Sequence, residues 1–441
     1  MASLAAIHDV EYTGVKSEPL RDPIRKPESL SEIDVDPAIL EDLALKILYL
    51  SGTISVLELS RRLQLSYAVT HELFCKLRSD LCCQVNGMEG NIPKIAVTSQ
   101  GRSRATDLLS QSLYAGAAPV SLESYVKQVR NQSVQNVHVH ASDLARAFAH
   151  LVLDGNILRQ LGTALNSGSA IFLYGPPGVG KTTIAEALAR VLAEDEVWIP
   201  HAVEVDGQII SVYDASIHTA SPQSEFGNHD PRWVRCNRPA VLVGGELTAE
   251  MLDLQFNPVT KFYVGPVQLK ANNGVLIIDD FGRQRLRPEE LLNRWIVPLD
   301  RRIDFLTMAG GRKIELPFEM LVVFASNMDP SKLVDPSFLR RIKTKIEIGE
   351  LSDVQFCEIF HRVAQKSHVL FDPEIPNLLM DFVRHTLHQE LRACYPRDII
   401  DHVRWAARYE ETKPYLDVAA LGQAITAYFI KSPTSPAMCT S

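Results

Sequence analysis

The sequence has little cysteine and no arrangement of cysteine that favours zinc binding. Its seven cysteines among 441 residues are an odd number, contain no C-x-x-C pair and have no matching histidine spacing. Disulfide-stapled secreted domains and zinc modules are recognised by such pairs and spacings. The sequence therefore predicts reduced thiols and excludes a cysteine-based scaffold or metal site.

Long apolar runs and a basic excess are also missing. No stretch approaches the roughly eighteen apolar residues that span a bilayer, and the first residues lack the pattern of a secretory signal. The 45 basic residues are outnumbered by 53 acidic ones, which gives a formal charge of −8. A chain built to coat nucleic acid or anionic lipid is expected to be basic. We expect a cytoplasmic protein without membrane insertion, in which any contact with nucleic acid is local.

The composition is that of a globular protein with several domains. Apolar residues make up 46% and charged residues 22% of the chain, which excludes collagen-like and wholly disordered classes. Residues 1–35 alternate charge with prolines and show no sustained apolar period, so they predict a flexible tail. Residues 114–140 mix small and polar residues and are interpreted as a linker, and residues 432–441 as a short polar tail.

Residues 36–113 predict a small helical domain that ends in a hairpin and a further helix. Apolar residues recur at helical spacing in three short segments, and residues 81–97 can form a hairpin around Asn86 and Gly87. This order resembles a winged-helix domain, although three-helix bundles without a ligand share the helical pattern. Basic and acidic residues are nearly balanced here, whereas a DNA reader shows a clear basic stripe. Docking of a protein is favoured over DNA binding, and a purely structural role stays open.

The most specific motif is a glycine-rich loop between a predicted strand and a predicted helix. Residues 175–182 read GPPGVGKT and match G-x-x-x-x-G-K-[ST], after an apolar run at 170–174 and before a helical run at 183–193. Such a loop wraps a phosphate with backbone N–H groups, Lys181 reaches the β- and γ-phosphates, and the Thr182 hydroxyl coordinates Mg²⁺. The predicted binding residues for ATP are Gly175, Pro176, Pro177, Gly178, Val179, Gly180, Lys181, Thr182 and Thr183.

Two further apolar runs are predicted to be strands that end in polar residues. The run at 275–278 leads into Asp279 and Asp280, and the run at 319–325 leads towards Asn327. The carboxyl ends of parallel strands meet at one edge of a sheet, where ligands bind. Asp279 is predicted to hold Mg²⁺ and Asp280 to polarise the attacking water. Asn327 is predicted to hydrogen-bond the γ-phosphate or that water.

The order of these motifs resembles the AAA+ family of ring-forming ATPases over roughly residues 141–431. The resemblance gives Asn327 the place of sensor 1 and Arg397 that of sensor 2. It gives Arg341, or its neighbour Arg340, the place of the arginine finger that reaches the next subunit's γ-phosphate. It implies an α/β P-loop AAA+ three-layer sandwich at 141–346 with an insertion at 196–270, an α-helical lid at 347–431, and a ring oligomer, expected to be a hexamer. Guanidinium donors suit these places because they stabilise the charge on a transferring phosphoryl group.

Within this family, residues 265–272 (GPVQLKAN) and the elements that follow resemble MoxR-type ATPases. The resemblance implies chaperone-like remodelling or assembly of a protein partner. The segment around Arg341 departs from that subgroup, and Asp280 stands where glutamate is usual. Aspartate is one methylene shorter, and a catalytic group misplaced by about 1 Å can cost on the order of a hundredfold in rate. Slow hydrolysis is therefore expected unless the backbone compensates.

The sequence thus predicts an ATPase that converts ATP and water to ADP and phosphate while remodelling a protein partner. Two alternatives stay open. In the first, a DNA-associated regulator uses the winged helix while ATP switches its oligomeric state. In the second, the chain is an ATP-binding scaffold with negligible hydrolysis. Residues 263–265 also resemble the pore loop of unfoldases, but a strand that enters a Gly-Pro turn is the favoured interpretation.

Overall fold

The structure is a computed structural model that describes residues 2–3, 24–222, 229–333 and 335–429. Most of the predicted tail 1–35, residues 430–431 of the predicted lid and the predicted tail 432–441 lie outside the described residues. Across the described ranges, no helix is long and apolar enough to cross a bilayer. The six cysteines in these ranges are free thiols, as predicted.

Helices and strands alternate along the whole described chain. The helices are α1 (Pro37–Ser51), α2 (Val56–Leu63), α3 (Tyr67–Ser79), α4 (Ser99–Gln111), α5 (Leu122–Asn131), α6 (Ala141–Ala147), α7 (Gly155–Ser167), α8 (Lys181–Ala193), α9 (Val267–Lys270), α10 (Pro288–Arg294), α11 (Ile296–Arg301), α12 (Pro330–Leu333), α13 (Pro336–Leu339), α14 (Asp353–Lys366), α15 (Ile375–Asp381), α16 (Cys394–Tyr409) and α17 (Val418–Tyr428). The strands are β1 (Ala2–Ser3), β2 (Ile54–Ser55), β3 (Cys83–Glu89), β4 (Ile92–Val97), β5 (Val120–Ser121), β6 (Ile171–Tyr174), β7 (Glu196–Pro200), β8 (Ala202–Val205), β9 (Gln208–Ser211), β10 (Trp233–Asn237), β11 (Ala240–Val243), β12 (Gln255–Phe256), β13 (Tyr263–Val264), β14 (Val275–Ile278), β15 (Ile303–Thr307), β16 (Lys313–Pro317), β17 (Leu321–Ser326), β18 (Thr344–Glu347), β19 (Leu370–Phe371) and β20 (Tyr415–Leu416).

The centre of the molecule is a parallel sheet with the order β11-β14-β17-β6-β18, to whose edge β1 adds antiparallel. Consecutive residues of its strands are apolar and buried, which is the pattern of a sheet covered on both faces. Phe172 and Leu276 face one apolar cluster that includes Trp295, whereas Leu173 and Ile277 face a second cluster formed with α7 and α8. The domain is therefore a three-layer α/β sandwich, as predicted.

Residues 37–111 form three helices, a hairpin and a fourth helix around their own apolar cluster. The first helix begins at a capped end, because Asp36 accepts a hydrogen bond from the Ala38 N–H and Pro37 follows the cap. The hairpin turns at Gly90 and Asn91, however, and a bulge near Gly87 takes the place of the predicted Asn86-Gly87 turn. Asn-Gly is a strong local turn signal, but here the register of β3 and β4 overrides it.

The predicted insertion at 196–270 is wrong in part. Its segment β11 is a strand of the central sheet and pairs in parallel with β14 along its whole length. Four other strands of the segment join β5 in a second sheet with the order β12-β13-β9-β8-β5, and β7 pairs with β10 in a separate ribbon. The hairpin of β8 and β9 turns at Asp206 and Gly207, and both residues have positive φ.

The predicted linker and part of the predicted tail are also ordered. Residues 114–140 contain β5, which pairs with β8, and α5, which buries Tyr125 and Val129 in the core of the second sheet. Residues 24–35 pack against the rest of the chain, and Ile33 is buried in the N-terminal cluster. Asp34 pairs with the buried Arg232 at 2.7 Å. These contacts join segments far apart in sequence, so local composition did not indicate them.

Helices α14–α17 form a separate apolar cluster at the C-terminal end, where the helical lid was predicted. A short π-helical stretch, Phe382–Thr386, extends α15. Tyr263 lies in β13 and is buried, and its hydroxyl accepts a hydrogen bond from the Ala309 N–H at 2.8 Å. The strand interpretation of residues 263–265 therefore holds, and Tyr263 is not presented at an exposed loop.

Candidate ATP-binding site

The glycine-rich loop joins β6 to the first turn of α8. Gly175, Gly178 and Gly180 all have positive φ, which side chains disfavour. A Cβ built on Gly175 would lie 2.1 Å from the Ile348 carbonyl oxygen, so the loop also needs glycine there for close packing. Residues 176–179 form a turn, in which Pro177 and Gly178 are exposed and Val179 is buried. The N-terminus of α8 therefore opens next to a loop whose backbone can wrap an anion.

Lys181 is buried at the base of this loop. Its Nζ donates hydrogen bonds to the carbonyl oxygens of Gly175 at 3.0 Å and Pro176 at 2.7 Å, and to Oδ1 of Asn327 at 2.7 Å. Burial lowers the pKa of Lys181 to about 8, although Asp279 and Asp280 act in the opposite direction. Each of these contacts is to an oxygen, so the phosphate oxygens of a nucleotide can replace them.

Thr182 and Asp279 form the adjacent pair. The Thr182 hydroxyl lies 3.0 Å from Oδ1 and 2.9 Å from Oδ2 of Asp279, which follows the end of β14. Among the described residues, no group of three histidine, cysteine or acidic side chains could hold a metal ion. A magnesium ion held by one carboxylate usually takes its remaining ligands from water and substrate phosphates. The pair therefore fits Mg²⁺ that arrives with a nucleotide.

Asp280 and Asn327 meet beside Lys181. Nδ2 of Asn327 donates to Oδ1 of Asp280 at 2.7 Å, while Oδ1 of the same amide accepts from Lys181. Asp280 is exposed, so solvent reaches its carboxylate, and Asn327 is half-buried. The structure thus brings together all five predicted polar groups, Lys181 and Thr182 from the loop and Asp279, Asp280 and Asn327 from the strand ends.

A cavity of about 480 Å³ lies directly beside the loop. Its walls come from the segment before α7, from the first turn of α8, from the end of β18 and from the lid helices α14 and α16. Val179, Gly180 and Thr183 contribute the loop side, and apolar residues such as Ile157 and Val363 contribute the opposite side. A mostly apolar wall with few polar groups suits the base and sugar of a nucleotide.

The three predicted arginines have different surroundings. Arg397 lines the cavity on the lid side and pairs with Asp398 at 3.0 Å, with its side chain 66% exposed. Arg341 is largely covered, and its Nε donates to Asp300 at 2.8 Å. Arg340 is exposed. Arg397 therefore lies near the loop of its own chain, whereas Arg340 faces solvent beyond α13.

Two features of the site were missed by sequence reasoning. Gln284 closes the turn that carries Asp280, and nothing in its local sequence distinguishes it from a surface glutamine. At the lid, the Cys394 N–H donates to the Gly178 carbonyl at 3.1 Å. Arg392 also packs on Gly178, with Cδ 3.4 Å from a Cβ built on that glycine. The start of α16 and the residues before it therefore contact the phosphate-binding loop directly.

Two segments of the chain match known families. Residues 171–219 match the family described as "ATPase family associated with various cellular activities (AAA)". Residues 352–427, which contain the lid helices, match a "Domain of unknown function (DUF8689)". No curated protein matches the chain.

Solved structures show remote likenesses. RuvB of Thermotoga maritima, described as a Holliday junction branch migration motor, is 16% identical, with 63% of this chain and 70% of that chain covered at a TM-score of 0.37. NtrX from Brucella abortus in complex with ADP is 14% identical, with 66% and 59% covered at a TM-score of 0.40. The phosphate-binding loop and the strand order show the parallel-sheet α/β P-loop fold of AAA+ proteins, and residues 171–219 match the AAA ATPase family model.

Proposed function

We propose that this protein binds ATP with Mg²⁺ at residues 175–183 and hydrolyses it at a site completed by an arginine of a second copy. The observation that carries the proposal is the continuous chain of hydrogen bonds from Lys181 through Asn327 to Asp280. It lies next to the Thr182–Asp279 pair and the 480 Å³ cavity. Phosphate binding, metal binding and water activation thereby fall at one edge of one sheet.

Each group of residues at the site has its own role in the hydrolysis of ATP. Backbone N–H groups of the loop and Lys181 hold the β- and γ-phosphates, so charge on the leaving group is stabilised. Asp280 accepts a proton from the attacking water or orients it, and Asn327 keeps that carboxylate beside the γ-phosphate. Magnesium, held by Thr182 and Asp279, supplies charge neutralisation when bound. The apolar cavity keeps the base and sugar in place.

The completing arginine is assigned to Arg340 rather than Arg341. Arg341 is held by Asp300 within its own chain, so its release would break an ion pair. Arg340 is exposed and can face a neighbouring copy. A guanidinium that arrives from outside can stabilise the γ-phosphoryl charge without occupying the site before assembly. This assignment implies a ring in which each site needs two subunits, and the resemblance to AAA+ proteins suggests six.

The partner on which such a ring acts is proposed to be a protein, in the chaperone-like manner of MoxR-type ATPases. Residues 36–113 are proposed to be a winged-helix-like docking domain. Two contacts speak against DNA as its ligand. Glu72 on α3 accepts a hydrogen bond from the Leu30 N–H, and Lys76 on the same helix pairs with Glu41. The helix that would read DNA is therefore partly covered by residues 24–35, and one of its cations is neutralised.

The test is to measure nucleotide binding and phosphate release separately. Wild type is expected to bind a fluorescent ATP analogue and to release phosphate only with Mg²⁺. Lys181→Ala is expected to lose both nucleotide binding and phosphate release. Asp280→Asn is expected to bind the nucleotide but not to release phosphate. Lys413→Ala serves as a control because that lysine lies in a small lid cavity away from the loop. Tight binding by wild type without phosphate release would contradict the ATPase proposal and favour a scaffold.

A further inference from the structure

The turn that follows β14 holds Asp280 in an uncommon backbone conformation. Asp280 has φ of 50° and Gly282 has φ of 104°, so two left-handed residues occur within three positions. Left-handed backbone is unfavourable for a residue with a side chain unless its surroundings hold it. The Arg283 N–H donates to the Asp280 carbonyl at 2.9 Å, which makes the turn tight.

One flank of this turn is fixed by the neighbouring strand. The Phe281 N–H donates to the Ala325 carbonyl, and its own carbonyl accepts from the Ser326 hydroxyl, both at 2.7 Å. The Phe281 ring is buried and packs edge-on against Phe172 and Phe324. The residue directly after Asp280 is therefore anchored to the sheet.

The other flank is closed by a single side chain. Nε2 of Gln284 donates to the Asp279 carbonyl at 2.7 Å, and Oε1 of the same amide accepts from the Gly282 N–H at 2.8 Å. The amide thus joins the residue before Asp280 to the residue two positions after it. Loss of either hydrogen bond would free the turn to move towards a right-handed conformation.

We propose that Gln284 is a positioning residue for hydrolysis. By fixing the turn, it holds the short side chain of Asp280 so that its carboxylate lies at the place that the longer side chain of a glutamate would reach. The inference rests on the proposed function, in which Asp280 orients the attacking water. Aspartate lacks one methylene of glutamate, and the left-handed turn offers a backbone route to the same place beside Asn327. Gln284 hydrogen-bonds the backbone on both sides of Asp280 and acts through that residue.

The experiment compares steady-state phosphate release by wild type, Gln284→Ala, Asp280→Glu and the double variant of the full-length protein. A displacement of about 1 Å predicts that Gln284→Ala lowers kcat by roughly a hundredfold while KM stays within about twofold. Asp280→Glu is expected to lower kcat in wild type but to raise it in the Gln284→Ala background, because the longer side chain tolerates the relaxed turn. A residue that acted only on stability would not reverse the sign of a second substitution.

Controls separate this inference from the proposed function. Arg287→Ala changes an exposed residue of the same segment whose side chain pairs with Glu290, and it is expected to leave kcat unchanged. Binding of a fluorescent ADP analogue should be the same in Gln284→Ala as in wild type, and the melting temperature should fall only by the few degrees that two lost hydrogen bonds cost. The inference about Gln284 would be overturned, with the proposed function left standing, by either of two results. One is an unchanged kcat in Gln284→Ala, and the other is a lowered kcat that Asp280→Glu does not restore. Wild type without turnover would contradict the proposed function and the inference together.

Discussion

The side-chain amide of Asn327 donates a hydrogen bond to the carboxylate of Asp280 over 2.7 Å. The other end of that amide accepts from Lys181, also at 2.7 Å. The tip of β17 therefore links the group proposed to contact phosphate with the group proposed to activate water. An amide is suited to this place because it donates and accepts at once and stays uncharged.

The first prediction concerns this amide. Asn327→Ala removes the donor to Asp280 and the acceptor for Lys181, so phosphate release should fall by about 10²-fold or more, as for loss of one positioned donor in other enzymes. Affinity for ADP should change little, because the loop and cavity remain. Fluorescent ADP titration together with a phosphate-release assay checks both parts. Equal losses of affinity and turnover would indicate that Asn327 only supports the loop.

The second prediction compares two glycines of the loop. Gly175→Ala should lower the free energy of unfolding by roughly 2–6 kcal/mol, since overpacking and left-handed strain each cost about 1–3 kcal/mol. Gly180→Ala meets nothing within 4 Å and adds strain alone, so about 1–2 kcal/mol is expected. Thermal unfolding of the two variants measures the difference. Similar destabilisation would show that the contact with Ile348 yields easily.

The third prediction concerns pH and the buried His218. Its Nδ1 accepts from the Asp214 N–H at 2.9 Å and its Nε2 donates to the Lys270 carbonyl at 2.8 Å, which defines the neutral tautomer. Burial lowers the pKa of His218 to about 4, against the opposing effects of its hydrogen bond to the Lys270 carbonyl and of the charge on Asp214. Burial also opposes ionisation of Asp214, but hydrogen bonds from Lys270 and Ser216 outweigh it and lower the pKa of Asp214 to about 2, so its charge is constant above pH 5.

The stability that neutral His218 contributes is fully present above the unfolded pKa of about 6.5 and is lost as pH falls towards 4. Between pH 7 and pH 5, protonation of the unfolded state should lower the free energy of unfolding by roughly 2 kcal/mol. Urea unfolding of wild type and His218→Asn at both pH values tests this. The variant should be less stable at pH 7 and less sensitive to pH. A pH response equal to that of wild type would contradict the assignment.

The fourth prediction separates two arginines on α16. Arg397 lines the cavity beside the loop, whereas Arg404 pairs with Asp401 on the surface of the same helix. Arg397→Ala should weaken ATP binding and lower phosphate release, because a cation in the cavity wall beside the phosphate-binding loop is removed. Arg404→Ala should affect neither. If the two variants behave alike, the lid arginine has no role in the site.

Much of the site could be predicted from sequence because its signals are local. The loop at 175–182 follows a strand and opens a helix, and the Asp-Gly turn between β8 and β9 is also a short-range signal. Asp279, Asp280 and Asn327 follow apolar runs that could be recognised as strands without knowledge of their partners. Their meeting at one edge then follows from the parallel order of the sheet.

The errors concern long-range contacts. The two-residue strand β5 exists because it pairs with β8, some eighty positions away. The sequence near β5 does not indicate this pairing, so residues 114–140 are interpreted as a linker from sequence alone. Asp34 is held by Arg232, which lies just before β10 and far from Asp34 in sequence. Local composition does not indicate this contact, so residues 24–35 resemble a tail in sequence. β11 is a four-residue apolar run between polar segments, and only its neighbour β14 identifies it as part of the central sheet. Gln284 acts through its own turn and carries no distinguishing pattern.

The most direct test of the account is phosphate release from a mixture of two variants that are inactive alone. Lys181→Ala subunits should not bind ATP, and Arg340→Ala subunits should bind it without hydrolysis. In a mixed ring, some sites lie between the two kinds of subunit. At such a site the Arg340→Ala subunit supplies an intact loop, and the neighbouring Lys181→Ala subunit supplies an intact Arg340. The account predicts that equal amounts of the two variants recover a substantial part of the wild-type rate. Mixed oligomers that stay inactive would contradict a site shared between subunits.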